Sequence, residues 1–124
     1  MTRNHEDCIT LLEQIRWGGK PKCPYCESKN ATAMKNQRRY HCNTCFTSYS
    51  VTVGTLFHKT YVDLQKWFLA ITLILNSPKS ITVRQLAKEI EVNKNTAAYM
   101  LTRIRKAMVE NPKLLQKIVE MDKL

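Results

Sequence analysis

The sequence predicts a small α+β protein: an N-terminal helix, a short antiparallel β module held by four cysteines, then a three-helix domain containing a helix-turn-helix. Three observations predict it. Cys23-Pro24-Tyr25-Cys26 and Cys42-Asn43-Thr44-Cys45 form two Cys-x-x-Cys pairs separated by residues 27–41. After Gly54 the apolar pattern changes from alternation to helical spacing. Two capping boxes and one capping asparagine then mark three successive helix starts.

The first element covers residues 4–17. Asn4 is placed to cap with Asp7 three residues on, and Cys8, Leu11, Leu12 and Ile15 share one face. Gly18, Gly19 and Pro21 end it. Residues 22–53 read as a ribbon: the first knuckle, an extended piece at 31–35, a turn at Asn36-Gln37, residues 38–41 leading into the second knuckle, and an alternating run over 46–53. Each Cys-x-x-Cys wraps a knuckle around one metal ion, the intervening residues allow a hairpin, and the sulfurs converge as a closed tetrahedron. The spacing is that of a zinc ribbon, with one Zn²⁺ held by Cys23, Cys26, Cys42 and Cys45. A closed tetrahedron leaves no open position, so the expected zinc is structural.

Other uses of these cysteines fit less well. Disulfides sit poorly with a fifth cysteine and with an N-terminus that lacks an apolar secretory stretch. Cys-Pro-Tyr-Cys alone resembles the redox dithiol of glutaredoxins, but Pro21, Pro24 and Glu27-Ser28-Lys29-Asn30 do not read as a strand entering a helix. Cys8, on an apolar stripe, reads as a buried small side chain. His5, His41 and His58 are not needed as ligands.

Beyond Gly54, Thr60-Tyr61-Val62-Asp63 is a capping box ahead of a wide stripe of Leu64, Trp67, Phe68, Ile71, Ile74 and Leu75, and Asn76-Ser77-Pro78 ends that helix. Thr82-Val83-Arg84-Gln85 opens a short helix through Ile90, with Val83, Leu86, Ala87 and Ile90 inward. Glu91-Val92-Asn93 is a turn, and Asn93 caps a longer helix running to about Met108, with Ala97, Met100 or Leu101, Ile104 and Met108 inward. Two such helices joined by so short a turn describe a helix-turn-helix. A plain three-helix bundle has the same periodicity, so the exposed face decides. Lys94, Asn95, Thr96, Ala98, Tyr99, Thr102, Arg103, Arg105 and Lys106 make it polar and basic, with no acidic residue between Lys94 and Met108. The first-turn residues are the candidates for base edges, Asn95 for an adenine and Lys94 for a guanine. Arg103, Arg105 and Lys106 are placed for phosphates, and Arg84 on the preceding helix joins this set.

The charge agrees: the chain carries a formal +10, from 20 Lys and Arg against 10 Asp and Glu. Four thiolates and one zinc ion would lower this to about +8. Such a surplus points to a polyanionic partner, most simply double-stranded DNA, although solubility alone also uses charge. The longest apolar run, residues 67–75 with Thr72 inside it, is far short of the ~20 residues a membrane span needs. No membrane is expected, and a cytoplasmic, nucleoid-associated bacterial location is.

Arg16-Trp17, the Cys-Pro-x-Cys pair, Arg39-Tyr40-His41-Cys42, Val53-Gly54-Thr55-Leu56-Phe57, Trp67, Gln85-Leu86-Ala87, Thr96-Ala97 and Arg103-Ile104-Arg105-Lys106-Ala107-Met108 together resemble the N-terminal part of zinc-ribbon insertion-sequence transposases of the DDE type. The resemblance extends over nearly the whole chain. It implies sequence-specific binding of the element's terminal inverted repeats, with strand transfer left to a downstream RNase H-like domain using three acidic residues and two divalent metals. Val119-Glu120-Met121-Asp122 is similar to the start of the strand bearing the first catalytic aspartate. The residues after Met108 are too few for such a domain, so no catalytic residue and no strand-transfer activity are expected, and Asp122 reads as a solvated tail residue.

The expected division is a helix and linker at 1–20, the ribbon at 21–59, the helix-turn-helix at 60–110 and, at 111–124, a tail that starts a missing catalytic domain. The ribbon's basic turn, Lys35, Arg38 and Arg39, is expected on an adjacent phosphate backbone. The family commonly has glycine where Glu91 stands, and a left-handed backbone there would cost Glu about 1 kcal/mol. The alternative function is a protein-interaction or transcription-regulator module. Its ribbon and Trp67-Phe68-Leu69 helix would bind an identical chain or a separate catalytic subunit.

Overall fold

The computed structural model describes residues 4–35, 38–58, 60, 62–76 and 81–122. In chain order its elements are α1 (His5–Trp17), β1 (Ala31–Ala33), β2 (Tyr40–Cys42), β3 (Ser48–Tyr49), α2 (Leu64–Asn76), α3 (Val83–Ile90), α4 (Lys94–Glu110) and α5 (Pro112–Asp122). The three strands form one antiparallel sheet in the order β1-β2-β3, registered by Thr32 opposite His41 and Tyr40 opposite Tyr49. This is the small α+β class that the sequence predicts, with five helices among the described residues. The turn expected at Asn36-Gln37 lies outside them.

Helix α1 starts as its sequence dictates. The Asn4 side chain accepts from the Asp7 N–H at 2.8 Å, and Asp7 accepts in return from the Asn4 N–H. Gly18 ends it at φ 64°, a left-handed position that glycine takes at least cost. Its buried face carries Cys8, Ile9, Leu11 and Leu12, with Ile15 half-buried. Cys8 is thus the buried core side chain expected of it.

Helix α2 is the hub of the helical body, with α1, α3, α4 and α5 all packed on it. Trp67, Phe68 and Ile71 are fully buried there with Leu12, Leu86, Met100, Ile104, Leu115 and Ile118. Phe57 meets Trp67 edge-on at 5.6 Å and Phe68 at 6.0 Å. Each such side chain contributes about 1.5–3 kcal/mol of transfer free energy, which makes this body the main source of stability.

The expected domain division does not describe this packing. Within the stretch expected to be a tail that starts a catalytic domain, Pro112–Asp122 forms α5, which buries Leu114, Leu115, Ile118 and Val119 against α1, α2 and α4. Pro112 stands at the first helical position, where its missing N–H costs nothing, and the four apolar residues then fall on one helical face. Val119-Glu120-Met121-Asp122 is therefore helical rather than a strand start. The helical body comprises α1 through α5, and the ribbon is an insertion between α1 and α2.

Two local expectations are also corrected. The Thr60–Asp63 capping box does not form: the Thr60 hydroxyl accepts from the Trp67 indole N–H at 3.0 Å and from the Val62 N–H, and the helix starts only at Leu64. Burying the indole requires a partner for its N–H, and that demand outweighs the cap. The alternating run at 46–53 pairs only at Ser48–Tyr49, because the chain must leave the sheet to rejoin the helices. Tyr49 stays in the ribbon core, whereas Val51 is already in the helical core. There the Arg16 guanidinium donates to the Val51 carbonyl at 2.8 Å. Gly54, at φ 81°, leaves room beside it: a Cβ would stand 3.0 Å from Arg16 Nη2.

Candidate metal centre and nucleic-acid interface

The two knuckles have the same construction. In the first, the Cys23 N–H donates to the Ser28 carbonyl and the Glu27 N–H to the Cys23 carbonyl, both at 2.9 Å. In the second, the Cys42 N–H donates to the Thr47 carbonyl and the Phe46 N–H to the Cys42 carbonyl, again at 2.9 Å. The tight turn forces left-handed backbone at equivalent positions, Glu27 at φ 64° and Phe46 at φ 62°. A 2.8 Å hydrogen bond between the Ser28 and Thr44 hydroxyls ties the knuckles together.

This scaffold brings Cys23, Cys26, Cys42 and Cys45 together, with all four sulfurs within 4.8 Å of one another. Across the knuckles, Cys23 and Cys45 stand 3.7 Å apart and Cys26 and Cys42 3.4 Å apart, too far for S–S bonds. A tetrahedral zinc with Zn–S bonds of about 2.3 Å separates its sulfurs by about 3.8 Å. The four cysteines are thus arranged to hold one metal ion, in the donor set of a zinc ribbon. N–H groups point at the sulfurs as well, from Tyr25 to Cys23 and from Cys45 to Cys42, each at 3.4 Å. The Cys45 N–H, helped by that of Thr44, draws the Cys42 thiol down to about 6. Cys26 also receives an N–H, from Ser28, yet burial and three neighbouring sulfurs push it up to about 12. Sulfurs this close cannot all ionise unaided, and a divalent cation reverses that balance.

The ribbon is not tethered loosely. Trp17, the last residue of α1, packs edge-on to Tyr40 at 5.6 Å and to Tyr49 at 5.7 Å, beside Cys23 and Cys42. The Tyr40 hydroxyl donates to Glu13 at 2.8 Å. Burial, then the Glu13 hydrogen bond, pushes the Tyr40 phenol up to about 12. Arg38 donates to the Thr10 hydroxyl at 2.9 Å, pairs with Glu13 at 3.2 Å and reaches Glu6 at 3.7 Å. Arg38, expected on a phosphate, is therefore occupied in docking the ribbon on α1. Arg39 donates to the Ser48 hydroxyl at 3.2 Å, and Lys35 is exposed.

Helices α3 and α4 are joined by Glu91-Val92-Asn93 and pack on each other over α2. Both expected caps form: Thr82 accepts from the Gln85 N–H at 3.2 Å, and Asn93 from the Thr96 N–H at 2.8 Å. Glu91 keeps the left-handed conformation, at φ 57° and ψ 52°, and its carbonyl accepts from Lys66 Nζ at 3.0 Å. The turn thus takes the left-handed geometry with glutamate at this position.

On α4 the expected DNA-facing residues divide. Lys94, Asn95, Thr102, Arg105 and Lys106 are exposed, as is Arg84 on α3. Asn95, Ala98, Thr102 and Arg105 follow one another at helical spacing along a single stripe. Thr96 is buried, and Tyr99 is half-buried edge-on to Trp67 at 6.1 Å. Arg103 donates through Nε to the Leu56 carbonyl at 2.8 Å and lies over the Tyr99 ring at 5.4 Å. Thr96, Tyr99 and Arg103 are thus each engaged within the fold. Met108, expected inward, is exposed. Sequence reasoning missed the docking residues Glu13, Trp17 and Tyr40, whose partners lie more than twenty residues away in the chain.

Fold and site together define a zinc-ribbon protein, with the four-cysteine ribbon inserted between α1 and α2 of a five-helix body. Residues 3–48 match the family model of the transposase zinc-ribbon domain. Over 115 residues, 90% of this chain, the sequence is 34% identical to an uncharacterized protein in transposable element ISH50 from Halobacterium salinarum. The chain spans 38% of that relative's length. No solved structure matches it. The two likenesses support the zinc-ribbon part of an insertion-sequence transposase. Among the described residues, no helix is long and apolar enough to cross a membrane.

Proposed function

We propose that this chain binds double-stranded DNA sequence-specifically, recognising the terminal inverted repeat of a transposable element as the targeting part of a transposase. The observation that carries the reading is the stripe of α4 formed by exposed Lys94, Asn95, Thr102 and Arg105 with half-buried Ala98, set on the second helix of a helix-turn-helix with its turn intact. Asn95 has the donor and acceptor geometry to pair bidentately with adenine, and the Ala98 methyl beside it suits a thymine methyl. Of the predicted DNA contacts, Arg84, Lys94, Arg105 and Lys106, with Lys35 and Arg39 of the ribbon, are exposed or half-exposed cations and remain for phosphates once Arg38 and Arg103 are given to partners within the fold. The zinc is a scaffold in this reading, since four thiolates fill its coordination sphere. Targeting, not chemistry, is the role assigned to these residues.

The test is fluorescence anisotropy on the element's end sequence against a scrambled duplex, across a salt series. About six phosphate contacts give a slope of log affinity on log salt of roughly −5. A slope near zero would sink the reading. Asn95→Ala should reduce discrimination between the duplexes, and equal losses on both would remove Asn95 from the readout set. The protein-interaction alternative is weakened by burial: of Trp67, Phe68 and Leu69, only Leu69 is exposed.

A further inference from the structure

We infer that Phe46, with Tyr25 on the opposite knuckle, is a stacking contact for unpaired nucleobases, a second mode of nucleic-acid binding that rests on the DNA-binding reading above. The knuckle turn demands left-handed backbone at position 46, not an aromatic ring. Its counterpart, Glu27, meets the same demand with a small polar-tipped side chain that reaches Lys22 at 3.8 Å. A bulky residue at φ 62° is strained, and asparagine or glycine would relieve it. The ring gains little from the fold in return: it is 76% exposed, with the His41 ring 6.3 Å away between centroids. Tyr25 is 58% exposed. Neither residue belongs to the ribbon's packed cluster of Cys23, Cys42 and Tyr49 or to its partly buried surround.

The surroundings name the occupant. With Arg38 taken up by Glu6 and Glu13 of α1, residues 21–53 still carry Lys22, Lys29, Lys35 and Arg39 against the single carboxylate of Glu27, which favours a polyanion. A protein partner would need a contiguous apolar patch, but among the described ribbon residues Tyr25 and Phe46 are the only large apolar side chains exposed. Isolated rings among cations suit bases, each of which offers a π-face. A fully paired duplex hides those faces. The ribbon would therefore grip single-stranded or opened DNA while α4 reads the paired part.

The test compares the zinc-loaded full chain with its Phe46→Gly and Tyr25→Ala variants on labelled oligothymidylate and on a paired duplex. Phe46→Gly removes the strain, so its unfolding midpoint should hold or rise. Its affinity for oligothymidylate should fall roughly 5- to 150-fold with the salt slope unchanged, because stacking releases no counterions. Duplex affinity should stay within about 2-fold, Tyr25→Ala should show a weaker loss of the same kind, and Phe46→Trp should restore binding. Unchanged oligothymidylate affinity in Phe46→Gly, a loss accompanied by a shallower salt slope, or self-association that disappears with Phe46 would each overturn the inference. If the unmodified chain binds the duplex but not oligothymidylate, this inference alone fails. If it binds neither, the DNA-binding reading fails with it.

Discussion

Arg103 and Arg105 lie two residues apart on α4 and carry the same charge, yet the structure assigns them opposite work. Arg103→Ala removes a charged N–H donated at 2.8 Å to the Leu56 carbonyl and a guanidinium held 5.4 Å from the Tyr99 ring centroid. Hydrogen bonds from charged donors contribute about 1.5–3 kcal/mol and exposed cation–π contacts about 0.5–1. Arg103 is only half-buried, so screening lowers the sum to about 2 kcal/mol. For a chain of this length that is a fall of roughly 8 °C in Tm, or a clear drop in urea midpoint at constant m-value. Arg105 is exposed, and Arg105→Ala should move stability by less than about 0.5 kcal/mol. On DNA the order reverses. Arg105→Ala should make the salt slope shallower by about 1, whereas folded Arg103→Ala should keep it. An Arg103→Ala protein as stable as the parent, with a shallower salt slope, would refute the division.

Three further outcomes are expected. Chelating the zinc should abolish the pairing of β2 with β1 and β3 and weaken DNA binding while leaving most helical circular dichroism, because the larger core includes none of the four ligand cysteines; complete loss of the helical signal would contradict this. Tyr40 titrates near 10 unfolded and about 12 folded, so its contribution is full below pH 10 and is lost as pH rises through about 12. Stability should fall across that window, and less steeply in Tyr40→Phe, as read by denaturant midpoints. Glu91→Gly should raise stability by up to about 1 kcal/mol by relieving the left-handed backbone, partly offset by glycine's greater unfolded-state entropy, and leave DNA discrimination intact.

What could be read in the sequence was governed by distance along the chain. The knuckles, the caps at Asn4, Thr82 and Asn93, and the turn at Glu91 depend on residues within five positions of one another, and all stand as the sequence implied. The Thr60 cap was also local but lost to a longer-range claim, the buried Trp67 indole. Polarity alone does not reveal that Thr96 is buried or that Arg103 turns its Nε onto the Leu56 carbonyl, because a short hydroxyl and a long guanidinium can both turn inward. Arg38 looked like a free cation because Glu6 and Glu13 lie on an element read as separate. Helix α5 had its own signal, Pro112 followed by apolar residues at helical spacing, which the resemblance of residues 119–122 to a strand start obscured.

The contact between α1 and α5 gives this fold an order of assembly during synthesis. The nascent chain releases all four sulfurs once residue 45 has left the ribosome, so metal capture can begin early. The apolar face of α1 must then wait for α2 and finally for Leu115 and Ile118 on α5, across a span of nearly the whole chain. Closing so long a loop is slow relative to forming a knuckle. The metal-bound ribbon, docked through Trp17, can hold α1 in place meanwhile, giving the late helices a partly formed surface to complete.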